Sequence, residues 1–138
     1  MNSRPAVLLV LVALCACGPV PDAVSFTVTD SPDALTPGAG DNLFTLTMTQ
    51  GSEAYELADV LVAANLPGQT ATAVNFTHTD ANGNGKLDKG DALVCKEPPV
   101  SIFDATTVGK SVKVALTVKR SGASVLTSLA SETWVPAN

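Results

Sequence analysis

The sequence predicts an all-β fold, an antiparallel β-sandwich of seven or eight strands. Apolar and polar residues alternate with a period of two in several separate stretches, as they do in strands that bury one face. Clusters of Gly, Pro, Asn and Asp interrupt those stretches at intervals of roughly 8 to 12 residues, the spacing of sandwiches and barrels. Past the amino-terminal apolar run, no window of about eleven residues sustains the 3.6-residue period of an amphipathic helix. A chain of 138 residues, 46% hydrophobic and 15% charged, has room for one such domain with a modest core.

Val24, Phe26 and Val28 alternate with Ser25, Thr27 and Thr29 and form the first expected strand. Asp30-Ser31-Pro32-Asp33 and Pro37-Gly38-Ala39-Gly40-Asp41 make a loop of turn formers. In the second strand Phe44, Leu46 and Met48 point inward and β-branched Thr45, Thr47 and Thr49 outward, before Gln50-Gly51-Ser52 closes it. The pattern blurs from Glu53: Tyr55, Leu57 and Ala58 fit a helical turn, and a strand is expected from Asp59, with Val60 and Val62 alternating with Leu61 and Ala63. Leu66-Pro67-Gly68-Gln69 is a turn, and Thr72 to Thr79 resumes the alternation with Val74, Phe76 and His78 on one side. Ala92-Leu93-Val94-Cys95 is a short strand ended by Pro98-Pro99, and Val100 to Asp104 is expected as an edge segment anchored by Ile102. Val112, Val114, Leu116 and Val118 mark the clearest strand, which Lys119 to Ala123 turns. Val125 to Leu129 and Thr133 to Val135 finish the chain, with Trp134 capping one end of the core. The count and spacing are those of an immunoglobulin-like sandwich.

The amino terminus reads differently. Arg4 precedes an apolar run from Ala6 to Leu14, too short to cross a bilayer core of about 30 Å and of the kind found in signal peptides. The run ends Leu14-Cys15-Ala16-Cys17-Gly18, with an aliphatic residue three before a cysteine and a small residue directly before it. This ending resembles the lipobox of bacterial lipoproteins; Cys15 fits less well as the modified residue because bulky Leu14 precedes it. The resemblance implies a signal peptide over 1–16, a lipidated Cys17 and proline-rich spacer over 17–23, and a β-sandwich domain over 24–138. It also implies a protein anchored on the bacterial cell envelope without crossing it, since two or more acyl chains hold stably where one does not. Gly18, where some lipoproteins of the inner membrane carry aspartate, points by analogy to the outer membrane. The other reading is a secreted protein cut after Ala16. In the mature chain Cys95 has no partner for a disulfide and reads as a small buried hydrophobe. Removing residues 1–16 takes away Arg4 and no acid, leaving a net charge of −6, a surface that argues against nucleic acid.

One stretch carries chemistry: Asp80-Ala-Asn-Gly-Asn-Gly-Lys-Leu-Asp-Lys-Gly-Asp91. Oxygen-bearing side chains stand at positions 1, 3, 5, 9 and 12 (Asp80, Asn82, Asn84, Asp88, Asp91), with Gly85 at the sharp turn and Leu87 at position 8, the spacing that wraps a loop around one calcium ion. Over these twelve residues the loop resembles that of EF-hands, and dockerins more closely because it ends in Asp. The resemblance implies the ligand set Asp80, Asn82, Asn84, Asp88 and Asp91 by side chain and Lys86 by its backbone carbonyl. The flanks depart from that family: Asn75 to Thr79 are poor helix formers, and Pro98 follows too soon for a paired helix. The loop is therefore expected between two strands. Two neutral amides among the ligands and the nearby Lys86 and Lys89 set a modest expected affinity of about 10⁻⁴ to 10⁻³ M, where calcium acts as a structural pin. The competing reading makes Asn-Gly-Asn-Gly a hairpin turn, which accounts for the glycines and amides but not for the acids at positions 1, 9 and 12.

Little else points to a reaction. His78 is the single histidine, no nucleophile-elbow pattern is present, and zinc would need more imidazole and thiolate than the chain supplies. Lys110, Lys113, Lys119 and Arg120 read as a solvated strand face, or as a contact for anionic lipid or glycan. The order Thr-Met-Thr-Gln-Gly-Ser at 47–52, then Leu57-Ala58-Asp59-Val60, then an acidic Gly-Asp loop before a valine-rich strand resembles the β-domain of archaeal pilins and archaellins, although the long assembly helix of those proteins is replaced here by the Cys17 spacer. The expected function is a non-enzymatic, lipid-anchored, calcium-stabilised binding or adhesion module for a protein or glycan. A pilin-like structural subunit is the first alternative and a small hydrolase using His78 the second.

Overall fold

The structure, a computed structural model that describes residues 23–119 and 125–137, is all-β. Its strands are β1 (Ser25–Asp30), β2 (Asn42–Gln50), β3 (Tyr55–Glu56), β4 (Val60–Asn65), β5 (Thr72–Thr79), β6 (Lys86–Leu87), β7 (Ala92–Lys96), β8 (Val112–Lys119) and β9 (Leu126–Trp134). Seven form one antiparallel sheet in the order β1-β2-β7-β5-β4-β8-β9, and β3 pairs with β6 apart from it. The first half of β5, Thr72 to Val74, pairs with β4, whereas Asn75 to Thr79 pairs with β7. A strand shared in this way turns the corner between two layers, β1-β2-β7 and β4-β8-β9. On the other side β1 and β9 lie beside one another, so the sheet is nearly closed and sandwich-like.

The expected alternation places the core. Phe44, Leu46 and Met48 of β2 and Leu93 and Cys95 of β7 are buried with Val60, Val62 and Ala64 of β4 and all four alternate residues of β8, from Val112 to Val118. Trp134 caps this core, its ring 4.9 Å from Phe44 and 5.5 Å from Phe103. Its Nε1 donates to Asp30 Oδ1 at 2.5 Å, which ties the end of β9 to the end of β1.

Two expectations are corrected. Val100 to Asp104 forms no strand, because the Glu97 carboxylate takes the N–H groups of Ile102 (2.5 Å) and Phe103 (2.8 Å) that a ladder would use. The two expected closing segments are one strand, β9, with Leu129 as the extra residue where Leu116 pairs Ala130 and Thr117 pairs Ser128. That bulge reverses the inward phase and makes one strand read as two. In the blurred segment both readings hold in turn, a 3-10 turn over Leu57–Asp59 and then β4 from Val60, one residue later than expected, with the unexpected short β3 before them. The turn expected at Lys119 to Ala123 falls mostly outside the described residues, as do the signal peptide and Cys17. No helix among the described residues is long and apolar enough to cross a membrane.

Candidate metal loop

The loop Asp80–Asp91 joins β5 to β7, as its flanks imply. Its first half is built on side chains that accept from the backbone. Asp80 Oδ1 takes the N–H of Asn82 (3.1 Å) and Gly83 (2.6 Å), and Oδ2 takes that of Gly85 (2.6 Å). Asn82 Oδ1 accepts from Asn84 N at 3.0 Å, and Asn84 Oδ1 from Lys86 N at 2.7 Å. These consecutive Asx turns coil the chain within a few residues. Gly85 has φ +75°, a left-handed conformation that a side chain would strain.

The amide groups of Asn82 and Asn84 then converge on Asp88. Asn82 Nδ2 donates to both Asp88 oxygens at 2.8 and 2.9 Å, and Asn84 Nδ2 donates to Oδ2. Lys86 lies in β6, which pairs with β3, and its Nζ meets Glu56 Oε1 at 2.7 Å on the surface. The neighbouring Leu87 is fully buried and fastens the loop to the core.

Asp91 faces the other way. It is 0% exposed, and its carboxylate accepts from Ala81 N (2.8 Å) and Asp88 N (3.0 Å) and meets His78 Nε2 at 3.2 Å. Backbone bonds from Met48 N to Asp91 O and from Gly90 N to Met48 O, both 2.9 Å, continue the sheet into the loop. Burial pushes the Asp91 carboxyl up, but the Ala81 and Asp88 N–H groups and His78 outweigh it and leave it below the usual carboxylate range. The N–H of Gly85 is the main cause that holds Asp80 low; burial opposes it, and Gly83, Asn82 and the His78 charge assist.

Asn82, Asn84 and Asp88 therefore meet, Asp80 organises the turn that carries them, and Asp91 closes the loop from inside. The side-chain oxygens of these residues are of the hard type calcium selects, although those of Asn82 and Asn84 accept from the backbone while their amide nitrogens face Asp88, and the loop is exposed, so water can complete a coordination shell. Among the described residues no three His, Cys, Asp or Glu side chains gather as a metal site, since the groups that join Asp88 are amides.

Two buried acids, Asp91 and Glu97, are not apparent from residue type. Their signal is the inward phase of β7: Asp91, Leu93, Cys95 and Glu97 alternate, and all four are buried. Burial pushes the Cys95 thiol up to about 12, which makes it inert as a nucleophile at neutral pH. No family model, curated protein or solved structure matches this chain.

Proposed function

We propose that the protein is a non-enzymatic binding or adhesion module of the bacterial envelope, held at the outer membrane by lipid on Cys17 and stiffened by calcium in the loop Asp80–Asp91. The observation that carries the calcium reading is the meeting of Asn82 and Asn84 with Asp88 in a loop whose backbone Asp80 already coils. A carboxylate that gathers only amide donors at the surface is open to a stronger, doubly charged partner. Asp80, Asn82, Asn84 and Asp88, with the Lys86 carbonyl, would hold the ion, and Asp91 would fix the end of the loop from the core side. Calcium in this role fixes a loop and supplies no reaction step.

The binding role follows from a rigid sandwich that presents loops at both ends, a scaffold on which partners are met by surface segments. Calorimetric titration of the mature chain with calcium and magnesium tests the loop, and a calcium-selective constant near the millimolar range is expected. The mass of the chain extracted from membranes tests the anchor, with diacylglycerol on Cys17 as the expected result. The pilin-like alternative needs strand edges that pair between copies, and β1 and β9, the two ends of the sheet order, are the edges it would use. Calcium-dependent polymerisation at high protein concentration would favour that alternative.

A further inference from the structure

We infer that the end of the sandwich where β1 begins rests on the bilayer surface, with Val125 and Leu126 as its apolar contact. The inference builds on the lipid-anchored reading above and assigns the face it leaves open. Asp30, at the end of β1, is bonded to Trp134 at the end of β9, and the two strands lie side by side, so they run in the same direction. Their starts therefore share one end of the domain. Strand β9 has nine residues, one of them the bulged Leu129, against six in β1, so its start projects about 7 Å beyond Ser25. Val125 and Leu126 stand on this projection, 70% and 47% exposed.

The chain emerges at the same end. Ala23 lies in one surface hollow with Gln50, Gly51 and Lys89, which also places the end of the candidate metal loop there. Five residues lie between Cys17 and Ala23, and the six Cα–Cα steps reach about 20 Å even when extended. The other exposed aliphatic residues, Val100, Val108 and Val135, lie at the opposite end, where Gly109 N bonds Pro136 O. Strand β8, eight residues long, puts about 24 Å between the two ends, so the short tether brings the Leu126 end to the lipid and leaves the Val135 end facing away. Two aliphatic side chains are too few to hold an untethered protein on a membrane, but a tethered one needs them only to select a face. The charges at this end are mixed, with Glu53, Glu56 and Asp59 beside Lys119, Lys86 on Glu56, and Lys89 in the hollow of Ala23, so apolar contact and not charge selects the face.

The test uses the full chain, lipid-modified in its host and reconstituted into phosphatidylcholine vesicles. Leu126→Cys, Val125→Cys and, at the far end, Val135→Cys each receive an environment-sensitive fluorophore, with the unsubstituted chain as the blank for buried Cys95. At positions 126 and 125 we expect strong quenching by nitroxide-bearing lipid and at least a two-fold loss of quenching by aqueous iodide, with the reverse at 135. Two equivalent sites at the near end guard against one variant failing to fold. Equal access of iodide to all three positions, or lipid quenching at 135 alone, would overturn the assignment while the mass of Cys17 still shows the lipid. An unmodified Cys17 in a chain that stays in the soluble fraction would remove both the anchor and the face assigned from it.

Discussion

His78 Nε2 and Asp91 Oδ2 stand 3.2 Å apart, the histidine on β5 and the aspartate at the last position of the loop that leaves it. The pair bridges the two strands that the loop connects, and the fully buried Asp91 also holds the N–H groups of Ala81 and Asp88. Asp91 is thus a structural pin before any ion is considered. Asp91→Ala would leave two N–H groups and His78 without their acceptor, a cost of about 2–4 kcal/mol. Chemical denaturation should show this loss equally in calcium and in chelator; a loss confined to calcium would assign Asp91 to the ion alone.

Asp88 separates the two roles more cleanly. It accepts from side-chain amides at the surface, so Asp88→Ala should cost about 1 kcal/mol or less in chelator. In calcium at about ten times Kd the native chain gains about 1.4 kcal/mol by mass action, and the variant should lose most of that gain. An Asp88→Ala protein that keeps the full calcium response would move the site elsewhere.

Glu97 is 2% exposed and holds the N–H groups of Ile102 and Phe103 through Oε1, while Oε2 has no hydrogen-bond partner among the described residues. Glu97→Ala releases both N–H groups and should destabilise by about 2–4 kcal/mol. Glu97→Gln keeps the Oε1 acceptor and should cost less than half as much. Equal midpoints for the two variants in urea would show that the carboxylate, and not the acceptor at Oε1, anchors the loop.

How much of this was legible in the sequence depends on period and charge. Strands β2 and β8 are readable because one face is buried along most or all of their length, and β5 because Val74, Phe76 and His78 are more covered than the residues between them, which writes a period of two into the chain. Strands β3 and β6 have two residues each, too few to show any period, and the bulge at Leu129 breaks the phase of β9. The position-by-position loop pattern picked out the turn and its acids and read Asp91 as a calcium ligand, but residue type alone does not show that Asp91 and Glu97 are buried. Only their place in the β7 alternation, beside Leu93 and Cys95, gives them away.

Acid should weaken the fold through groups of one sign. The side chain and then the backbone N–H of Thr106 hold the Asp104 carboxyl below the usual range, with burial opposing and Lys110 assisting. A carboxyl lowered on folding adds stability above its unfolded value of about 3.9, and that stability is lost as pH falls through the folded value. The native chain should therefore exceed Asp104→Asn in melting temperature at pH 7 and approach it near pH 3. A gap that stays constant with pH would show that Asp104 acts without its charge.

Calcium binding by the loop is tested most directly by thermal unfolding of the mature chain in millimolar calcium, millimolar magnesium and chelator. A rise of several degrees in calcium alone is expected, because an ion that binds only the folded loop stabilises it by mass action. Identical melting temperatures in all three buffers would contradict it and leave Asp80–Asp91 a hairpin connection held by its own amides and by Asp91.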